Sequence, residues 1–256
     1  MRRPSIDDSA PARLIGMRSL RRPRGWPAAV LASAVILVLV VLPMGIGWLA
    51  TRHSRVTTYA ITEPLTRIEL RLSSGTALIV GDSSSIVQVR RTDEISFGHA
   101  ARERRSLVDG VLRIFSGCPR IVLGSCSSSY ELAVPESVTV DVQSTRGDVR
   151  LTGFRGGAAV QTRSGNVDVD AYCGFTLSAT SVSGNLRVAT ACAPERLELR
   201  SGSGNAIALV PPGRYRIRAS SGRGRQRVTG VVSSAMAPFT IDVHSTSGNV
   251  AVEGGL

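Results

Sequence analysis

The sequence predicts an all-β protein: a parallel β-solenoid or β-roll of short strands with Ser-Gly-Asn turns, preceded by one transmembrane helix. Three observations carry this. A phrase built on Ser-Gly-Asn returns through the C-terminal half at nearly constant spacing. Apolar and polar residues alternate on both sides of that phrase. One uncharged stretch, and only one, lies near the N-terminus.

Residues 26–48 of the 256 carry no charge. As a helix rising about 1.5 Å per residue, they would cross the roughly 30 Å of a bilayer core. Trp26 and Trp48 bracket the stretch, where indoles favour the membrane interface, and Pro27 suits a first helical turn. Pro43 and Gly45 would bend or end the helix near its far side. A cleaved signal peptide is the rival, but Gly45-Ile46-Gly47 is a poor small-x-small cleavage site. The basic residues are all Arg. Seven of them precede the span, at 2, 3, 13, 18, 21, 22 and 24, against Asp7 and Asp8. Positive flanks stay inside, so residues 1–25 read as a cytoplasmic Arg-rich tail and 26–50 as a single-pass helix. Residues 51–64 read as a juxtamembrane linker and 65–256 as an extracytoplasmic domain at the cell membrane.

Within that domain, residues 65–137 are irregular and 138–254 regular. Arg67-Ile68-Glu69-Leu70-Arg71-Leu72, Ala77-Leu78-Ile79-Val80 and Ser85-Ile86-Val87-Gln88-Val89-Arg90 read as strands. Residues 91–110, with Arg102, Glu103, Arg104 and Arg105, read as an exposed loop. Val111-Leu112-Arg113-Ile114-Phe115 and Tyr130-Glu131-Leu132-Ala133-Val134 resume the strands.

From Val138 each alternating strand is followed by a turn and a second short strand. The turn residues are Gly147-Asp148, Gly165-Asn166, Gly184-Asn185, Gly204-Asn205 and Gly248-Asn249. The first four glycines lie 18, 19 and 20 residues apart, a period that means stacked coils. Gly tolerates positive φ, Asn tolerates left-handed backbone, and Ser or Thr hydroxyls hold a turn. Stacking would file the Asn side chains coil upon coil, with an internal amide ladder as their expected role and a ligand row as the alternative.

The four cysteines lie beyond the span and are even in number, which suits disulfides in an oxidising compartment. Cys118 with Cys126 would clip a short loop, and Cys173 with Cys192 would join adjacent coils. Zinc is the weaker reading: there is no Cys-x-x-Cys, and His53, His99 and His244 are scattered.

The phrases Ser-Gly-Asn-Val-x-Val at 164–169 and 247–252, and Ser-Gly-Asn-Leu-x-Val at 183–188, resemble the bacterial putative-adhesin repeat domain. That family is found on membrane or envelope proteins and has no known biochemical function. The resemblance covers roughly 65–254 and is strongest from 138 on. It implies a β-solenoid and brings no catalytic residues with it. The stretch Ser221-Gly222-Arg223-Gly224-Arg225 departs from the pattern, with Arg225 in the place of Asn.

Around that departure Arg214, Arg216 and Arg218 alternate along one strand, and Arg223, Arg225 and Arg227 along the next. If both strands show the same face, six guanidiniums form one basic patch suited to phosphate or carboxylate oxygens. A plain solvated face is the first reading of these arginines; the alternative is anionic-surface binding, and the partners considered are anionic lipid headgroups, cell-wall polymers or a membrane protein. Aromatic residues are only 4% of the chain, too few for base stacking, so nucleic acid is not expected. No Gly-x-Ser-x-Gly elbow, no paired base for a serine and no Gly-rich phosphate loop is present. The Gly-Gly-x-Gly-x-Asp calcium repeat is also missing. The expected function is that of a non-enzymatic, cofactor-free envelope surface module, adhesin-like or scaffolding. The alternative is the ectodomain of an envelope-stress sensor acting through a membrane partner.

Overall fold

The computed structural model describes residues 26–50, 53–95, 100–119 and 125–255, with helix side chains described over 30–45. The expected cytoplasmic tail, residues 1–25, lies outside them. Helix α1 spans Trp26–Ala50. The described side chains of α1, residues 30–45, are by themselves fewer than a membrane span needs, so among the described residues no helix is long and apolar enough to cross a membrane.

Strands β1 (His53–Ile61), β2 (Arg67–Leu72), β3 (Ala77–Asp82), β4 (Val87–Ile95), β5 (Arg102–Val108), β6 (Val111–Gly117) and β7 (Cys126–Pro135) form the irregular part. Next come β8 (Thr139–Arg146), β9 (Val149–Thr152), β10 (Ala158–Ser164), β11 (Val167–Tyr172), β12 (Thr176–Ser183), β13 (Leu186–Thr190), β14 (Arg196–Ser203) and β15 (Ala206–Val210). The last are β16 (Arg214–Ser221), β17 (Gln226–Thr229), β18 (Val232–Ser233), β19 (Thr240–Ser247) and β20 (Val250–Gly254). They make two ten-stranded sheets, ordered β1-β4-β7-β3-β9-β11-β13-β15-β20-β17 and β18-β16-β19-β14-β12-β10-β8-β2-β6-β5.

A coil is one strand of the second sheet, a turn, and one strand of the first. Pairing between coils is parallel throughout. Only β1 on β4, β4 on β7, and β5 on β6 are antiparallel. The inward members of each alternation form the core. From one sheet come Val149, Leu151, Val167, Val169, Leu186 and Val188, and from the other Val140, Val142, Val160, Leu177, Leu197 and Leu199, all buried. Each such side chain contributes about 1.5–3 kcal/mol by leaving water. The core is continuous from Ile68 to Val252, so 65–137 is part of the solenoid and not a separate cap.

The stacking order differs from the chain order at both ends. Coil β2–β3 lies between β6–β7 and β8–β9, and coil β19–β20 lies between β14–β15 and β16–β17. Two expectations are corrected here. The linker at 51–64 contains β1, whose backbone finds a partner in β4. The loop expected at 91–110 holds the end of β4 and all of β5, with Arg102–Val108 paired along β6.

Both expected disulfides form. Cys118–Cys126 closes the turn of coil β6–β7, with Cα atoms 5.8 Å apart. Cys173–Cys192 joins neighbouring coils, with Cα atoms 4.7 Å apart.

Close stacking at the turns leaves no room for a side chain. A Cβ on Gly184 would overlap the carbonyl oxygen of Gly165, one coil before it, and Gly184 has φ of +159°. Gly184→Val is therefore expected to cost about 3 kcal/mol and to lower the unfolding midpoint by about 10 °C in a thermal melt. An unchanged midpoint would contradict the packing of this turn.

Candidate functional site

The turns carry a directional hydrogen-bond ladder. The backbone N–H of Asn166 donates to Asp148 Oδ1 at 2.7 Å, and that of Asn185 to Asn166 Oδ1 at 2.9 Å. Asn205 donates to Asn185 and Asn249 to Asn205, both at 2.8 Å. Arg225 donates to Asn249 at 2.9 Å. Each donor is an N–H, so each acceptor must be oxygen, which sets the orientation of every amide. Asp148 serves as well as Asn because only its oxygen is used. Arg225 ends the ladder in the outermost coil, where no further N–H has to be accepted, and so Asn is not required there.

The other turn residues work differently from the sequence expectation. None of these Asn residues has positive φ; among the described non-glycine residues only Asp109 and Ala171 do. The Ser hydroxyls do not hold their own turns. Ser181 donates to the Gly165 carbonyl at 3.1 Å, Ser201 to Gly184 at 3.0 Å, and Ser245 to Gly204 at 2.7 Å, each one coil away. The equivalent Ser144 and Thr162 hydroxyls are buried without a partner among the described residues.

The six arginines are exposed and all belong to the outermost coil. They do not form one face. Arg214, Arg216 and Arg218 project from β16 in one sheet, while Arg227 projects from β17 in the other and Arg223 and Arg225 lie in the turn between them. Outward side chains of two facing sheets point in opposite directions, so the expected single patch is divided around the end of the stack. Arg216 is further tied by its Nε–H to the Ala235 carbonyl at 3.0 Å. Strand β1 lies at the opposite end of the first sheet from β17.

Elsewhere on that sheet Asp168 sits between Arg150 and Arg187, at 3.4 and 3.3 Å. It is a rung of a surface charge row. No group of three or more His, Cys, Asp or Glu able to hold a metal occurs among the described residues.

The sequence reading missed a polar cluster at the β1 end. Arg91 makes a forked pair with Asp93, at 2.8 and 2.7 Å, and reaches Glu103 at 3.1 Å and the Ala101 carbonyl at 2.8 Å. The hydroxyls of Tyr59 and Tyr130 donate to Glu103 at 3.1 and 2.8 Å, and Ser128 donates to Asp93. The Arg105 guanidinium lies over the Tyr59 ring, 4.3 Å from its centroid. A signal was available: the alternation that sends Val87 and Val89 inward also sends Arg91 and Asp93 inward.

Burial, and then the Glu103 charge, push the Tyr59 phenol up to about 12. Burial pushes Tyr172 to about 12 as well, and raises Tyr130 and Tyr215. The unfolded tyrosines ionise near pH 10. Between pH 10 and 12 the folded state therefore holds more protons than the unfolded one, and stability falls as pH rises. Below pH 10 this contribution is fully present. The chain has no Lys and its cysteines are bridged, so its tyrosines dominate that window. Urea midpoints followed from pH 9 to 12 should be flat at first and then drop, with tyrosinate absorbance rising only as the protein unfolds. Ordinary tyrosinate formation near pH 10 in the folded protein would contradict the burial of these rings.

These features define a class: a two-sheet parallel β-solenoid whose coils are locked by side-chain ladders at one edge. A match to the family described as Toastrack DUF4097 runs over residues 120–253, just over half of the chain. The chain belongs to that family. No curated protein matches it. Among solved structures it is similar to a putative cell adhesion protein from Clostridium sporogenes ATCC 15579. Identity there is 11% and the TM-score 0.48, covering 79% of this chain and 100% of that one. It is also similar to a putative adhesin from Bacteroides fragilis NCTC 9343, at 11% identity and a TM-score of 0.39, covering 78% and 97%. A putative lipid binding protein from Parabacteroides distasonis ATCC 8503 stands at 10% identity and a TM-score of 0.30, covering 79% and 97%.

Proposed function

We propose that this chain is a non-enzymatic, membrane-anchored module of the cell envelope, adhesin-like or scaffolding, that meets anionic envelope components through the arginines of its last coil. The observation that carries the proposal is position. The coil richest in Arg is the one at the free end of the stack, and the chain reaches the solenoid through β1 at the other end. The anchor is residues 26–50, read from their uncharged stretch and the Arg-rich flank before it. Two disulfides suit a domain on the oxidising side of that anchor.

Guanidinium forks match phosphate and carboxylate oxygens. A single exposed contact is worth at most about 1 kcal/mol, so useful affinity needs several arginines to engage one extended surface. Three arginines on one side of a blunt end, one on the other and two in the turn between can do that against a membrane or wall that the end abuts.

The test uses the full-length chain in neutral nanodiscs. Its retention on phosphatidylglycerol vesicles, phosphatidylcholine vesicles and isolated cell wall is measured at low and high salt. A variant with Arg214, Arg216, Arg218, Arg223, Arg225 and Arg227 changed to Gln runs beside it, and arginines 1–25 are common to both. Salt-sensitive retention on an anionic surface that the variant loses is the expected result. Equal retention of the variant, or no retention on any surface, would contradict the proposal.

A further inference from the structure

A furrow runs along the outer face of the first sheet, beside the turn ladder. In each coil two outward residues flank one inward residue, so the outward positions form two parallel rows with a valley between them. One row is Asp148, Asn166 and Asn185, and the other is Arg150, Asp168 and Arg187. The valley floor is the backbone of Val149 and Val167, whose side chains turn into the core, and half-buried Leu78 continues the second row. The hollow these residues line has a volume of about 510 Å³.

Its chemistry is unusual for a sheet surface. The ladder uses only the Oδ1 atoms of Asn166 and Asn185. Their Nδ2 groups find no acceptor among the described residues, and both side chains are exposed. The two coils that carry Asn166 and Asn185 therefore offer amide donors along the first row. Across the valley Asp168 lies between Arg150 and Arg187 and is bonded to both. Asp148 and Asp168 balance Arg150 and Arg187, and Glu131 at the β7 end is paired with Arg90 at 3.6 Å, so with that pair counted the furrow carries no net charge. An isolated anion would meet Asp148 and Asp168, and an isolated cation would meet the arginines. A hydroxyl, which both donates and accepts, satisfies both rows. The pattern repeats at the strand spacing of about 4.8 Å, close to the length of one pyranose unit in an extended chain.

We infer that this furrow is a binding site for an extended, uncharged glycan laid along the stacking axis, one sugar to a coil. Sugar hydroxyls accept from the Asn166 and Asn185 amides on one side and bond to the Arg150–Asp168–Arg187 row on the other. Half-buried Leu78 offers apolar surface to the ring C–H groups. The site is separate from the terminal arginines and does not depend on them.

The test titrates the full-length chain, in sugar-free phosphocholine micelles, with three hexasaccharides: extended uncharged chitohexaose, curled maltohexaose and anionic hexagalacturonate. Chitohexaose is expected to bind best. The double variant Asn166→Asp, Asn185→Asp keeps the ladder oxygens, as Asp148 does natively, while replacing the amide donors with two carboxylate charges that an uncharged sugar meets only as acceptors. It should bind chitohexaose about tenfold or more weakly with its melting temperature little changed. Asp168→Asn unpairs the two arginines and should shift preference to hexagalacturonate, a readout that requires a folded furrow. The variant lacking the six terminal arginines should bind chitohexaose as the native chain does. Equal binding of all three sugars, binding of none, or undiminished chitohexaose binding by the folded double variant would overturn the assignment.

Discussion

The carbonyl oxygen of one turn glycine occupies the space that a Cβ on the next would need. A single file runs Gly75, Gly147, Gly165, Gly184, Gly204, Gly248 and Gly224, each against the carbonyl of the one before, and it begins on the carbonyl of Ser128. This contact lets the coils close to sheet spacing at their turns, and the rest of the structure follows from that closeness. It brings Asn oxygens within reach of the next coil's N–H groups and Ser hydroxyls within reach of the previous coil's carbonyls. The contact also has a direction. A coil needs glycine only if another coil precedes it in the stack, and needs an Asn-type acceptor only if another follows. Coil β6–β7 comes first and carries Ser128 at the glycine position; coil β16–β17 comes last and carries Arg225 at the Asn position.

A stack of parallel strands has open edges, and open edges invite pairing with other chains. The two ends deal with this differently. At one end β1, β4 and β5 turn antiparallel and close over the buried Arg91–Asp93–Glu103 cluster. At the other, β17 is left uncovered and β18 covers only the start of β16, so the edge is blunted by charge. The same arginines that discourage self-pairing present cations to whatever surface the end meets. Between the ends the outer faces repeat coil by coil, a geometry suited to long ligands and poorly suited to enclosing small ones.

Much of this was legible. The Ser-Gly-Asn phrases marked the turns, the alternation marked the inward residues, and the spacing of Cys173 and Cys192 marked a bridge between adjacent coils. Stacking order was harder to read, because a repeat in sequence does not say which neighbour a coil packs against. The sign was nevertheless present: Arg225 cannot accept the next N–H, whereas Asn249 can, so the 248–249 turn is the better interior rung. Residues 53–61 and 102–108 were read as linker and loop because their strands are polar and highly exposed. Their order comes from pairing with β4 and β6 rather than from burial. The division of the arginines between two sheets followed from coil geometry that the alternation of a single strand does not reveal.

The central claim is that the coils are held in register by a ladder running one way, from each Asn oxygen to the next coil's backbone N–H. Native-state hydrogen exchange on the Asn185→Ala variant tests it most directly. The account predicts faster exchange at the amide of Asn205, which loses its acceptor, while the amide of residue 185 stays protected by Asn166. Unchanged exchange at Asn205, or loss of protection at residue 185 instead, would contradict it.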